Sequence, residues 1–146
     1  WIEPLALVLH FCNTDEDRNK WVVYDCVMNI AEGQIVEQKS FKANTYKMLL
    51  AGFQWRSLEK GHSLKLIFKF YMEGNLVYTS VQDAVTNGPD SKDIFQQDFE
   101  VSSSMRLEGP NGITSPFPAG RYEVELYLKT EELDEHFVMR RTLDVG

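Results

Sequence analysis

The side chains best suited to catalytic or metal chemistry in this sequence are three histidines, His10, His62 and His136, and two cysteines, Cys12 and Cys26. A serine hydrolase brings a nucleophile, an imidazole and an orienting acid together. None of the histidines sits in such a pattern, and no G-x-S-x-G elbow, P-loop or G-x-G-x-x-G run occurs. His62 follows Lys60-Gly61 in a turn and His136 begins the last apolar run, so each histidine reads as a surface residue. The cysteines form no CxxC or Cys/His spacing of a structural zinc site. They read as two separate thiols. A bridge between them is the alternative, which a free-thiol titration decides. No cofactor is implied.

Carboxylates are the next candidates. Asp90, Asp93 and Asp98 could offer oxygens to calcium, but their spacing lacks the ligand ladder of an EF-hand. Glu131, Glu132, Asp134 and Glu135 crowd one connection, where they could attract a cation or a basic partner or simply protect a sheet edge. Aromatic residues are the stronger binding lead. Trp1, Trp21, Trp55, Tyr71, Tyr78 and Tyr127 could stack on sugar rings or anchor a protein interface. Trp55 alternates with Leu49, Ala51 and Phe53 and belongs in a core. Tyr71 and Tyr127 take the parity opposite their apolar neighbours and point outward. The candidate binding residues are therefore Tyr71, Tyr127, Glu131, Glu132, Asp134 and Glu135.

The elements that must carry these residues are strands. Leu64, Leu66, Phe68 and Phe70 alternate with Lys65 and Lys69, and Tyr122, Val124, Leu126 and Leu128 alternate with Glu123 and Glu125. Phe137, Met139, Leu143 and Val145 form a third such face, with Arg141 as its exception. Turn signals punctuate these runs at Glu32-Gly33, Lys60-Gly61, Glu73-Gly74-Asn75, Asn87-Gly88-Pro89-Asp90, Gly109-Pro110-Asn111-Gly112 and Pro118-Ala119-Gly120. The spacing predicts strands over residues 5–12, 21–30, 34–41, 46–57, 63–72, 75–82, 94–102, 121–129 and 136–145. Residues 44–60 also carry a helical spacing through Tyr46, Leu49, Leu50 and Phe53, but Gly52 is costly in a helix and the strand reading is preferred. Many short strands separated by turns make an antiparallel sandwich or barrel.

The run Phe53-Gln54-Trp55-Arg56-Ser57-Leu58-Glu59-Lys60-Gly61, the hairpin through Glu73-Gly74-Asn75, and Phe117-Pro118-Ala119-Gly120-Arg121-Tyr122-Glu123-Val124-Glu125-Leu126 resemble the immunoglobulin-like β-sandwich, notably accessory domains of bacterial cell-surface and periplasmic proteins. The resemblance covers residues 21–146 and leaves residues 1–20 as an added strand or a remnant of a preceding region. It implies an all-β, two-sheet antiparallel sandwich forming a single domain over residues 1–146, with Tyr122 as the corner tyrosine of the fold. The Cys, Trp, Cys arrangement of antibody domains is absent. No functional residue carries over, because such sandwiches serve adhesion, assembly, sugar binding and spacing alike.

A chain of 146 residues with 43% hydrophobic and 25% charged residues has the composition of one globular domain. No apolar stretch approaches the roughly 20 residues of a membrane span. Lys and Arg number 15 against 22 Asp and Glu, a net charge of -7, which disfavours nucleic acid because phosphate backbones are held by basic side chains. The charge is unevenly spread: residues 39–72 hold seven bases and one acid. In a sandwich, Lys65 and Lys69 would neighbour Glu123 and Glu125, which would neighbour Arg140, giving opposite charges across the strands. The first residue is Trp1, as expected of a processed or excised chain. The expected function is a noncatalytic interaction domain outside the cytoplasm, presenting a sheet face or loops to a protein partner. A carbohydrate-binding sandwich is the alternative, and a hydrolase or metal-dependent enzyme a third.

Overall fold

The structure, a computed structural model, describes residues 2–12, 20–22, 34–36, 41–90, 93–102, 107–108 and 114–146. Their strands are β1 (Ile2–Cys12), β2 (Lys20–Val22), β3 (Gln34–Val36), β4 (Met48–Ser57), β5 (Lys60–Met72), β6 (Asn75–Asn87), β7 (Asp93–Ser102), β8 (Leu107–Glu108), β9 (Thr114–Ser115), β10 (Gly120–Lys129) and β11 (His136–Val145). They form two sheets. The larger has the order β3-β2-β1-β4-β7-β8, with β9 also on β7, and the smaller has the order β11-β10-β5-β6. All pairings are antiparallel except β2 with β3. The all-β, two-sheet expectation holds. Residues 46–57 take the strand option, with β4 preceded by a turn in which Asn44 adopts φ 57°.

The core is the layer between the sheets. Leu7, Leu9 and Phe11 of β1, Leu49, Ala51, Phe53 and Trp55 of β4, and Phe99 of β7 meet Leu64, Leu66, Phe68 and Phe70 of β5 and Tyr122, Val124, Leu126 and Leu128 of β10. Each large apolar side chain so buried contributes roughly 1.5–3 kcal/mol. Aromatic rings dominate one end, where Phe11 lies edge-on to Phe41 and Phe117 at 4.9 and 5.1 Å and Phe70 meets Phe99 at 4.5 Å. Tyr122 packs among them, 5.5 Å from Phe117, and its hydroxyl donates to the carbonyl of Pro118 in the turn that precedes β10.

Two features depart from the sequence expectations. First, β1 and β4 are buried on both faces. Ala6 and Val8 on β1 and Leu50 and Gln54 on β4 lie opposite the core-facing set and are as inaccessible as it is. His10 shares that second buried face and is 7% exposed, so it is not the surface histidine expected. The near-continuous apolar runs Leu5-Ala6-Leu7-Val8-Leu9 and Met48-Leu49-Leu50-Ala51 belong to strands covered on both sides. The N-terminal strand, read as an addition, is thus an interior strand of the larger sheet, paired with β4 from Ile2↔Ser57 to Cys12↔Met48.

Second, β11 changes parity. Opposite the step Leu126/Tyr127 of β10 its partners jump from Met139 to Phe137, leaving Val138 as the extra residue of a bulge. Phe137 therefore stands on the outer face instead of joining Met139, Leu143 and Val145. Arg141, the exception in that run, does share the inner parity: it lies opposite Val124 at the sheet edge, and its Nε–H donates to the Leu7 carbonyl of β1 at 3.1 Å. One inward arginine thus ties the two sheets together.

The β5–β6 hairpin turns where the spacing placed it, between strands that end at Met72 and begin at Asn75. Met72 pairs with Asn75 across Glu73 and Gly74, whose φ values of 50° and 79° are those of a type I′ turn. Glu73 is an unusual choice there. Its Oε1 accepts from the Arg121 N–H at 2.7 Å and its own N–H donates to the Arg121 carbonyl at 2.8 Å, so its position is offset by two bonds to β10.

Candidate interaction surface

The outer face of the smaller sheet carries Tyr71 and Tyr127, the two candidates that the sequence placed outward by parity. In register, Phe137 of β11, Tyr127 of β10, Ile67 of β5 and Val81 of β6 form one row across all four strands. The next row runs Arg140, Glu125, Lys69 and Thr79, and the one after it Thr142, Glu123, Tyr71 and Leu76. Outward-facing positions on an ordinary antiparallel strand are polar, yet the first of these rows is apolar from edge to edge. Among the described residues six large apolar side chains are exposed, and four of them, Leu76, Val81, Val85 and Phe137, are on this face. Val81 is 56% and Phe137 47% accessible, whereas Ile67 between them is 5% accessible.

Glu125 organises the centre. Although it faces outward its side chain is only 9% exposed, lying beneath its neighbours. Tyr127 donates its hydroxyl to Glu125 Oε1 at 3.2 Å, Tyr71 shares the same carboxylate, and Arg140 Nε lies 3.5 Å from Oε2 and 3.4 Å from Glu123. The bond to Glu125, then burial, raises the Tyr71 hydroxyl well above its usual pKa; burial first and the Glu125 charge next raise that of Tyr127. Both phenols stay neutral donors through the physiological range. Lys69 lies over the Tyr127 ring at 4.2 Å and pairs with Glu135 at 2.5 Å, a hydrogen bond that raises the ammonium pKa against the opposing effect of burial. The Tyr127 ring also meets Phe137 edge-on at 5.7 Å.

The charge arrangement is more local than the sequence suggested. Lys65, Lys69, Glu123, Glu125 and Arg140 do share one sheet, with Lys69 opposite Glu125 and Glu125 opposite Arg140. Arg140 forms its expected pairs, but Lys65 pairs at 2.7 Å with Asp83 of β6, and Lys69 reaches Glu135 in the β10–β11 connection. Strand register places Lys65 directly beside Asp83, so the shorter reach wins.

The six candidate residues do not form one site. Tyr71, Tyr127 and Glu135 converge on the outer face. Glu131 and Glu132 instead line a cleft of about 440 Å³ at the end of the sandwich, with Ile2, His62, Leu64 and Leu128. Asp134 is exposed in the connection between β10 and β11, its carbonyl 3.4 Å from His136 Nδ1. His62 is exposed and bonded to Glu59 at 2.7 Å. Among the described residues no three His, Cys, Asp or Glu side chains are grouped to hold a metal ion, and no helix is long and apolar enough to cross a membrane. Trp1 and Cys26 lie outside the described residues, as do the side chains of Cys12, Trp21, Asp93 and Asp98. Phe137 and Val81 were missed as surface candidates: a one-residue bulge hides the first, and the second has only the parity of an edge strand to mark it. Neither a protein-family model nor a curated protein sequence matches the chain.

Proposed function

We propose that the chain is a noncatalytic, immunoglobulin-like interaction domain that presents the outer face of β11-β10-β5-β6 to a protein partner, and that it works outside the cytoplasm. The observation that carries the reading is the apolar row Phe137–Tyr127–Ile67–Val81, exposed at both ends and flanked by Lys69, Glu125, Glu123 and Arg140, whose charges are engaged in ion pairs. Rigid aromatic anchors beside satisfied polar groups are the composition of a protein interface. The immunoglobulin-like assignment draws support from the strand orders β1-β4-β7 and β11-β10-β5-β6 and from the bond between the Tyr122 hydroxyl and the turn before its strand. A sugar platform is less well served, because Lys69 already lies over the Tyr127 ring and Phe137 abuts it. The test is a photo-crosslinking residue at position 81 or 137 in the full chain, followed by binding measurements on the captured partner. Tyr71→Ala combined with Tyr127→Ala is expected to weaken binding at least tenfold. Undiminished binding removes the basis of the proposal, and glycan-array binding lost in the same variant transfers it to carbohydrate.

A further inference from the structure

We infer that the partner seated on this face is a second copy of the chain, an inference that rests on the face being the interaction surface. Charge is the first argument. The face and the Glu135 that reaches into it hold five basic side chains (Lys65, Lys69, Arg121, Lys129, Arg140) and five acidic ones (Asp83, Glu123, Glu125, Glu135, Asp144). They cancel, so the chain's net -7 resides elsewhere. Two copies of an acidic protein repel through most of their surfaces; a neutral face, with most of its charges already paired internally, lets like-charged copies meet without opposing fields at the contact. A strongly basic partner would find no excess of acid here to recognise.

Area is the second argument. β5 and β6 have 13 residues each and β10 and β11 have 10. At about 3.3 Å per residue and about 4.8 Å per strand, the face measures roughly 700 Å², close to the roughly 800 Å² per partner of a standard interface. Self-complementarity is the third. Phe137 and Val81 occupy opposite ends of one row, on the two edge strands of the sheet. A two-fold axis lying between the stacked sheets and along their strands, midway between β10 and β5, seats Phe137 of each copy on Val81 of the other. Both exposed apolar ends are then covered by one operation, as a symmetric dimer requires.

Sedimentation velocity of the purified chain over a range of concentrations tests this, with Phe137→Asp and Val81→Asp as variants. Both positions are about half exposed, so the variants are expected to keep the melting profile of the wild type at concentrations too low for it to dimerise, which is recorded alongside. The expected result is a reversible dimer whose Kd rises at least tenfold in either variant, and which tightens with added salt as repulsion between the two net charges is screened. A chain that stays monomeric to millimolar concentration overturns the inference, as does a dimer indifferent to both substitutions. A monomer whose position 81 or 137 crosslinks to a different protein overturns the second copy while leaving the sheet-face function standing. Loss of both dimer and crosslink sinks the two together.

Discussion

Tyr122→Phe isolates the worth of one hydroxyl. The ring keeps its edge-on contacts with Phe117 at 5.5 Å and with Phe11 and Phe70 at 6.2 Å, so packing is conserved and only the bond to the Pro118 carbonyl is lost. Removing a buried donor and leaving its acceptor unpaired costs about 1–2 kcal/mol. With a urea slope of about 2 kcal/mol per molar, the midpoint should fall by about 0.5–1 M. The pH dependence adds a second readout. Burial, and secondarily the Glu73 charge, raise the folded Tyr122 pKa well above the usual value, whereas the unfolded side chain ionises near pH ~10. A raised folded pKa means its stabilising contribution is complete below that pH and declines above it; by pH ~11 the wild type has lost about 1.4 kcal/mol through this residue. Phenylalanine has no such loss. The gap between wild type and variant should therefore close from about 1–2 kcal/mol at neutral pH to nearly nothing at pH ~11. Urea melts of the two proteins at both pH values measure it. A variant as stable as wild type at neutral pH, or a gap that stays constant, would refute the assigned bond and burial.

Gly120→Ala should destabilise by roughly 1–3 kcal/mol, because a Cβ there would lie 2.5 Å from Glu73 Oε1 and displace the carboxylate from the Arg121 N–H; a thermal melt reads the loss, and adding Glu73→Gly should recover part of it. Arg141→Met keeps the apolar stem but removes the donor to the Leu7 carbonyl, with an expected cost of about 1–2 kcal/mol in chemical denaturation; an unchanged midpoint contradicts the inter-sheet tie. Gln97 accepts from both Ser80 and Gln82 across the sandwich, so Gln97→Leu should cost about 1–3 kcal/mol, and pairing it with Ser80→Ala should cost less than the sum. The raised pKa values of Tyr71, Tyr122 and Tyr127 predict that part of the tyrosinate absorbance appears only together with unfolding as pH climbs above about 10; a fully reversible titration of all six tyrosines in the folded protein would contradict it.

Much of the smaller sheet was legible because Leu64, Leu66, Phe68 and Phe70 of β5 and Tyr122, Val124, Leu126 and Leu128 of β10 each form one unbroken buried parity, so Tyr71 and Tyr127 could be placed outward from parity alone. The failures each have a physical origin. Val138 adds one residue to β11 without any Gly or Pro to announce it, and the parity of Phe137 reverses. β1 and β4 are buried on both faces, so His10 loses the solvated side that a half-buried strand would have offered it. Ion pairing was misassigned where it depended on which long side chain reached furthest, as with Lys69 and Glu135. β8 and β9, two residues each, are too short to leave a periodic signal.

The bond from Arg141 to Leu7 joins positions 134 residues apart in sequence, and β1 finds its longest partner in β4 rather than in a neighbouring hairpin. Contacts of such separation demand closure of long loops before they return any stability, which places folding in the millisecond-to-second range typical of sandwiches. On a ribosome, β1 emerges before its long partners and must wait for β4 before most of its backbone is paired and for β11 before its tie to the second sheet can form. In that interval its apolar residues on both faces are open to contact with other chains.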